Sequence, residues 1–288
     1  MKLALLGAII SIFILTPNCY ADDTNLFSPI CYRFLSEGSW GYNLLIINND
    51  LTAEFLRIDS TDKKNIYLPG RARGTVPIEI ANKISASLQN YEFDPNQKPH
   101  PSEHMFPSVF EILTVSGQII RQPCPDIQHQ EQLPSYNELV NLFNQVIQYL
   151  KDHGSTTFIS SESSVIVDDK KFVTFTIKLT NIGNTAITIE NLLNMGHLAS
   201  SYYKETGVGP IYHKNNINIL NANFDVKQEI LKFVPGEPLY LEFVSKNPIN
   251  ASGGVSFSIL LEIKEVNDLG KEIEKFVTNS VVYKFDLP

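Results

Sequence analysis

The chain has 288 residues, with 23 basic side chains against 31 acidic ones and a formal charge of −8. A surface of that sign repels phosphate backbones, which excludes nucleic acid and anionic lipid as expected partners. Its hydrophobic content of 43% is ample for a packed core, and its length suggests two domains at about 100–200 residues each.

Met1 to Ala21 reads as a cleavable secretory signal peptide. Lys2 is the only charge before Asp22, Leu3 to Leu15 is an apolar run, and Cys19-Tyr20-Ala21 puts small residues at −3 and −1. A charged start, an apolar stretch of about 7–15 residues and a small-x-small site are the parts of an export signal. The run is shorter than the roughly 20 residues a membrane helix needs. Pro17-Asn18 precede Cys19, where lipid attachment wants small residues, so lipidation is not the expectation. The expected address is the periplasm of a bacterium, with secretion as the alternative.

Removing Lys2 with the signal leaves 22 basic residues against 31 acidic ones, a charge of −9. It also leaves two cysteines, Cys31 and Cys124. An even pair in an exported chain is expected to form a disulfide. That bridge would close a loop of about 94 residues and contribute at most roughly 4–5 kcal/mol.

From Phe27 onward, short alternating runs are separated by turn residues, the signal of strands. Tyr42 to Ile47 breaks at Asn48-Asn49-Asp50, Ala53 to Ile58 follows, and Ile66 to Leu68 stops at Pro69-Gly70. Thr75 to Ile80 reads as the next strand, and Val109 to Arg121 as a hairpin about Ser116-Gly117. Pro134-Ser135 then opens a helix with Glu138 three residues on, a capping box. Leu139, Leu142, Phe143, Val146, Ile147 and Leu150 follow at helical spacing, and Gly154 ends it.

The second half repeats the order. Phe172 to Asn181 alternates cleanly, Ile182-Gly183-Asn184 turns, and Thr185 to Ile189 resumes. Val234-Pro235-Gly236 leads into Leu239 to Val244, as Leu68-Pro69-Gly70 leads into a strand in the first half. Ser256 to Val266 and Glu272 to Thr278 flank the turn Asn267-Asp268-Leu269-Gly270, and Tyr283 to Phe285 closes the sheet. With Asn181-Ile182-Gly183-Asn184-Thr185 and a later Pro-Gly before a strand, the chain resembles the immunoglobulin-like modules of bacterial exported proteins. The resemblance covers most of both halves at the level of fold and implies no function. The expectation is a mostly β protein of two immunoglobulin-like β-sandwich domains joined by an amphipathic helix. The boundaries are 1–21 for the signal, 22–130 for the first domain with its disulfide, 131–154 for the linker helix and 155–288 for the second domain.

No nucleophile elbow, zinc-protease helix, phosphate loop or dinucleotide fingerprint is present. His100 and His104 flank Glu103, but Pro99, Pro101 and Pro107 oppose the helix that would put them on one face. No catalytic residue, cofactor or metal is expected. Asp168-Asp169 is followed by Lys170-Lys171, a polar turn rather than a carboxylate pair. Arg71 and Arg73, beside Gly70 and Gly74, form a basic spot able to grip a carboxylate or phosphate, or a solvated hairpin tip. The segment 195–216 holds Tyr202, Tyr203, Lys204, Tyr212 and His213 among Ser, Gly and Asn. Rigid rings among small polar residues suit an adaptable recognition surface, and half-buried strand positions on an irregular edge are the alternative.

The expected function is protein binding without catalysis. An immunity or inhibitor protein that neutralises an envelope-acting toxin or enzyme is the concrete form. A pilus-type periplasmic chaperone is one alternative, although this chain is acidic where those tend to be basic. An enzyme acting on envelope glycans or lipids, with an accessory domain, is the other.

Overall fold

A computed structural model describes residues 31–38, 41–57, 59–60, 68–91, 109–113, 119–123, 133–193, 199–204, 207–211, 216–249, 253–279 and 283–287. These residues are mostly β, in antiparallel sheets, with two helices. The signal segment 1–21 lies outside them.

The first half contains β1 (Cys31–Gly38), β2 (Gly41–Asn48), β3 (Thr52–Arg57), β4 (Asp59–Ser60), β5 (Gly70–Thr75), α1 (Ile78–Gln89), β6 (Val109–Leu113), β7 (Ile119–Pro123) and α2 (Leu133–His153). β1, β2, β3 and β5 form an antiparallel meander, and the β6–β7 hairpin adds to the far side of β1. Alternation along these strands divides their residues between two faces. Leu45, Ile47, Phe55 and Ala72 pack under the helices, against Ile84 of α1 and Leu139, Phe143 and Leu150 of α2. Leu44 and Leu56, one residue out of phase, join a second core on the opposite face.

Helix α1 stands partly where a strand over Thr75 to Ile80 was expected. The segment Pro77-Ile78-Glu79-Ile80 alternates like a strand, but Ile80, Ile84 and Leu88 are spaced four apart and pack toward the sheet. Pro77 suits a helix start because its missing N–H is not needed there. Together α1 and α2 cover the face of the first-half sheet that the second layer of a sandwich would occupy.

The second half contains β8 (Ser155–Val167), β9 (Val173–Asn181), β10 (Ile187–Glu190), β11 (Ala199–Lys204), β12 (Gly207–Ile211), β13 (Ile217–Ala222) and β14 (Ile230–Phe233). It continues with β15 (Leu239–Ser245), β16 (Gly253–Val266), β17 (Glu272–Asn279) and β18 (Tyr283–Leu287). β9 has the expected strict alternation, and Val173, Phe175, Ile177 and Leu179 are fully buried. Phe175 stacks on Phe243 of β15 at 5.1 Å and meets the edge of Phe257 of β16 at 6.0 Å. The first contact lies within one layer, β13-β15-β9-β8, and the second joins that layer to the facing sheet built around β16.

Strand β8 links the two halves. Ser155 to Arg73 through Phe158 to Gly70 pairs its beginning with β5, and Ile159 to Val167 pairs its remainder with β9. The result is one ten-stranded sheet in the order β13-β15-β9-β8-β5-β3-β2-β1-β6-β7. The inner face of β16 and β17 runs along it, so Leu44 and Leu56 share a core with Phe257, Ile263 and Phe276.

Candidate functional site

Two of the sequence-derived candidates lie on this framework, and the structure puts them in separate places. Arg71 and Arg73 lie in β5, within the sheet rather than at a hairpin tip. Register pairs Arg71 with Leu56 and Arg73 with Glu54 on β3, and places both arginines on the face turned toward β16 and β17. Arg71 Nη2 donates to Glu265 Oε1 at 2.6 Å, with the two side chains only 10% and 7% exposed. Arg71 Nη1 and Glu265 Oε2 are buried and have no hydrogen-bond partner among the described residues. Arg73 Nε donates to Glu54 Oε1 at 2.6 Å at the more exposed end of the row.

Glu274 of β17 stands in register with Glu265. Burial first, and then the Glu54 carboxylate, push the Glu274 carboxyl above the usual range. The Lys275 backbone N–H, Arg71 and Arg73 oppose that rise without cancelling it. Glu265 continues the inward phase of Phe257, Ile259, Leu261 and Ile263, and Glu274 continues that of Phe276. A carboxylate in the inward phase of a buried strand was the signal in the sequence for this cluster.

The tyrosine-rich segment is partly a hairpin at the edge of the β16 sheet. β11 pairs with β16 so that Tyr202 is opposite Phe257, Tyr203 opposite Ser256 and Lys204 opposite Val255. Among the described residues β12 is the outer strand on that side, and the β11–β12 register shifts between Ser201 and Tyr203. Thus Tyr202, Tyr203 and Lys204 occupy strand positions on β11, one strand in from β12. Tyr212 and His213 lie outside the described residues, as do His100, Glu103 and His104.

The two turn motifs meet in space. Asn181 O accepts from Gly236 N at 2.8 Å, and Asn181 Nδ2 donates to Thr185 O at 2.8 Å and Phe233 O at 3.3 Å. Asn184 Oδ1 accepts from Thr156 N at 2.7 Å, while its Nδ2 donates to Gly154 O at 2.8 Å. A Cβ on Gly183 would lie 2.2 Å from Thr156 O, so only glycine permits this approach. These residues fasten the end of α2 and the start of β8 to the second half.

Asp168 is a turn residue. Its Oδ1 accepts from the backbone N–H of Lys170 at 2.9 Å and Phe172 at 2.8 Å between β8 and β9. Cys31 opens β1 opposite Leu113, while Pro123, at the other end of the β6–β7 pairing, is opposite Val109 and through it level with Leu35. Cys124 lies outside the described residues, and no disulfide is present among those described.

Among the described residues, no group of three His, Cys, Asp or Glu side chains is arranged to hold a metal ion. No helix among them is long and apolar enough to cross a membrane. No protein-family model matches the sequence, and no curated protein is similar to it at a significant level.

Proposed function

We propose that the chain is an exported, periplasmic protein-binding protein, and specifically an immunity or inhibitor protein against an envelope-acting toxin or enzyme. The observation that carries this reading is the position of Tyr202, Tyr203 and Lys204 beside β12, at the outer edge of the β16 sheet. Aromatic and small polar residues on a rigid edge supply contact area at low entropic cost, and an outer strand offers backbone groups to an incoming segment. The charge of −8 adds electrostatic steering toward a basic partner surface.

An immunoglobulin-like reading of the second half fits the scaffold role. The order β8-β9-β15-β13 corresponds to strands A-B-E-D of that fold, and β10-β16-β17 to C-F-G. The first half follows another plan, a single sheet under two helices. Loops and edges on such a frame carry binding because the frame holds them in place.

Affinity purification of the tagged chain from an envelope fraction, with quantitative mass spectrometry, tests the reading. One protein is expected to enrich with the wild type. Tyr203→Ala should lower its recovery about tenfold, near 1.4 kcal/mol, without lowering the melting temperature. Tyr202→Ala, opposite the buried Phe257, is expected to lower stability instead. Enrichment of pilus subunits would favour a chaperone. Recovery of a glycan or lipid with no protein would overturn the proposal.

A further inference from the structure

Among the described residues, the seam where β3 and β5 face β16 and β17 holds five charged side chains, Glu54, Arg71, Arg73, Glu265 and Glu274. Arg71 is matched to Glu265, and Arg73 to Glu54. Glu274 has no such match: among the described residues its carboxylate accepts one backbone N–H, from Lys275 at 3.2 Å. Lys275 turns its ammonium to Glu262 at 2.6 Å, and Lys264 lies 3.7 Å from Glu190 and 3.9 Å from Glu272, so neither lysine serves Glu274. The beginning of β8, which also touches β17, presents Ser155, Thr156 and Thr157 and no charge. β2 presents Leu44 to this core, and β4 runs beside Val277 and Thr278 of β17, bringing Asp59 level with Val277. Three carboxylates therefore share two guanidinium groups at the edge of a hydrophobic core.

We infer that this seam is an acid-tightened clasp between the two halves: one proton taken up at Glu274 removes the unmatched negative charge and draws β5 and β17 together. Glu274 is half-buried, so its ionised form has lost hydration, and it faces a like charge at Glu54. Each arginine is paired with another carboxylate, Arg71 through Nη2 alone. Its carboxyl holds a proton more tightly in the folded chain than in the unfolded one. The stabilisation is therefore complete below the unfolded value and is lost as pH rises through the raised folded value. The window opens at about 4.3, the ordinary glutamate value, and extends upward.

The test compares urea unfolding of wild type and Glu274→Gln from about pH 4 to pH 8, a range that brackets that window. Glutamine is a neutral isostere of the protonated acid, so the two chains should be close in stability at the acidic end. Toward pH 8 the wild type should fall behind, tenfold in the folding equilibrium constant for each tenfold tighter proton binding in the native state. Amide exchange at pH 7.5 should be slower in the variant at β5, β16 and β17 than in the wild type. Glu272→Gln, an acid that faces Lys264, should keep the wild-type profile. Parallel profiles for wild type and Glu274→Gln would overturn the inference. If that variant fails to fold, a carbon-detected titration of Glu274 in the wild type decides, and an ordinary glutamate value overturns the inference.

Discussion

Arg71 and Glu265 are 194 residues apart in sequence and 2.6 Å apart in the fold, and both are nearly withdrawn from water. They join β5 of the first half to β16 of the second. A buried pair of this sort contributes little net stability over two well-packed apolar residues, but losing one partner leaves a charge stranded in the core.

Glu265→Ala is therefore expected to cost about 3–5 kcal/mol, because it strands the Arg71 guanidinium. The double variant Arg71→Met with Glu265→Leu should recover most of that loss. Chemical denaturation of the wild type, both single variants and the double variant checks it. Additive losses in the double variant would show that the two side chains do not interact.

Gly183 and Gly236 are both required, for different reasons. Gly183→Ala places a Cβ 2.2 Å from the Thr156 carbonyl, so the turn must retreat from β8, at about 1–3 kcal/mol. Gly236→Ala meets nothing within 4 Å but must hold φ at +77°, at about 1–2 kcal/mol. Gly236→Asn should recover part of its loss, since Asn tolerates that conformation, whereas Gly183→Asn should be no better than Gly183→Ala. Melting temperatures of the four variants test the distinction.

Cys31 opens β1, and Cys124 lies outside the described residues. In an oxidising compartment the pair is expected to form a disulfide. A chain lacking residues 1–21 should therefore show no free thiol when counted in denaturant without reductant. A count of two would mean that both cysteines stay reduced.

What was legible in the sequence was local. The alternation of β9, the helical spacing of α2 and the turns at Asn181 and Gly236 all specify their own conformations. Helix α1 was hidden because its opening Ile-Glu-Ile alternates like a strand and its apolar face is only one residue wide per turn. The division of Leu44 and Leu45 between two cores was hidden too, since consecutive apolar residues do not reveal what covers each face. Arg71 read as a solvated or ligand-gripping cation because its partner is 194 residues away. For the tyrosine segment the composition was legible, but the strand positions of Tyr202 and Tyr203 depend on pairing with distant β16.

The two halves form one structural unit, because β8 belongs to both parts of the ten-stranded sheet and Leu44 and Leu56 enter the second-half core. Differential scanning calorimetry tests this unity. A single transition is expected, with equal calorimetric and van't Hoff enthalpies. Glu265→Ala should shift that transition without splitting it. Two resolved transitions in the wild type, with only one moved by Glu265→Ala, would show that the halves unfold as separate units.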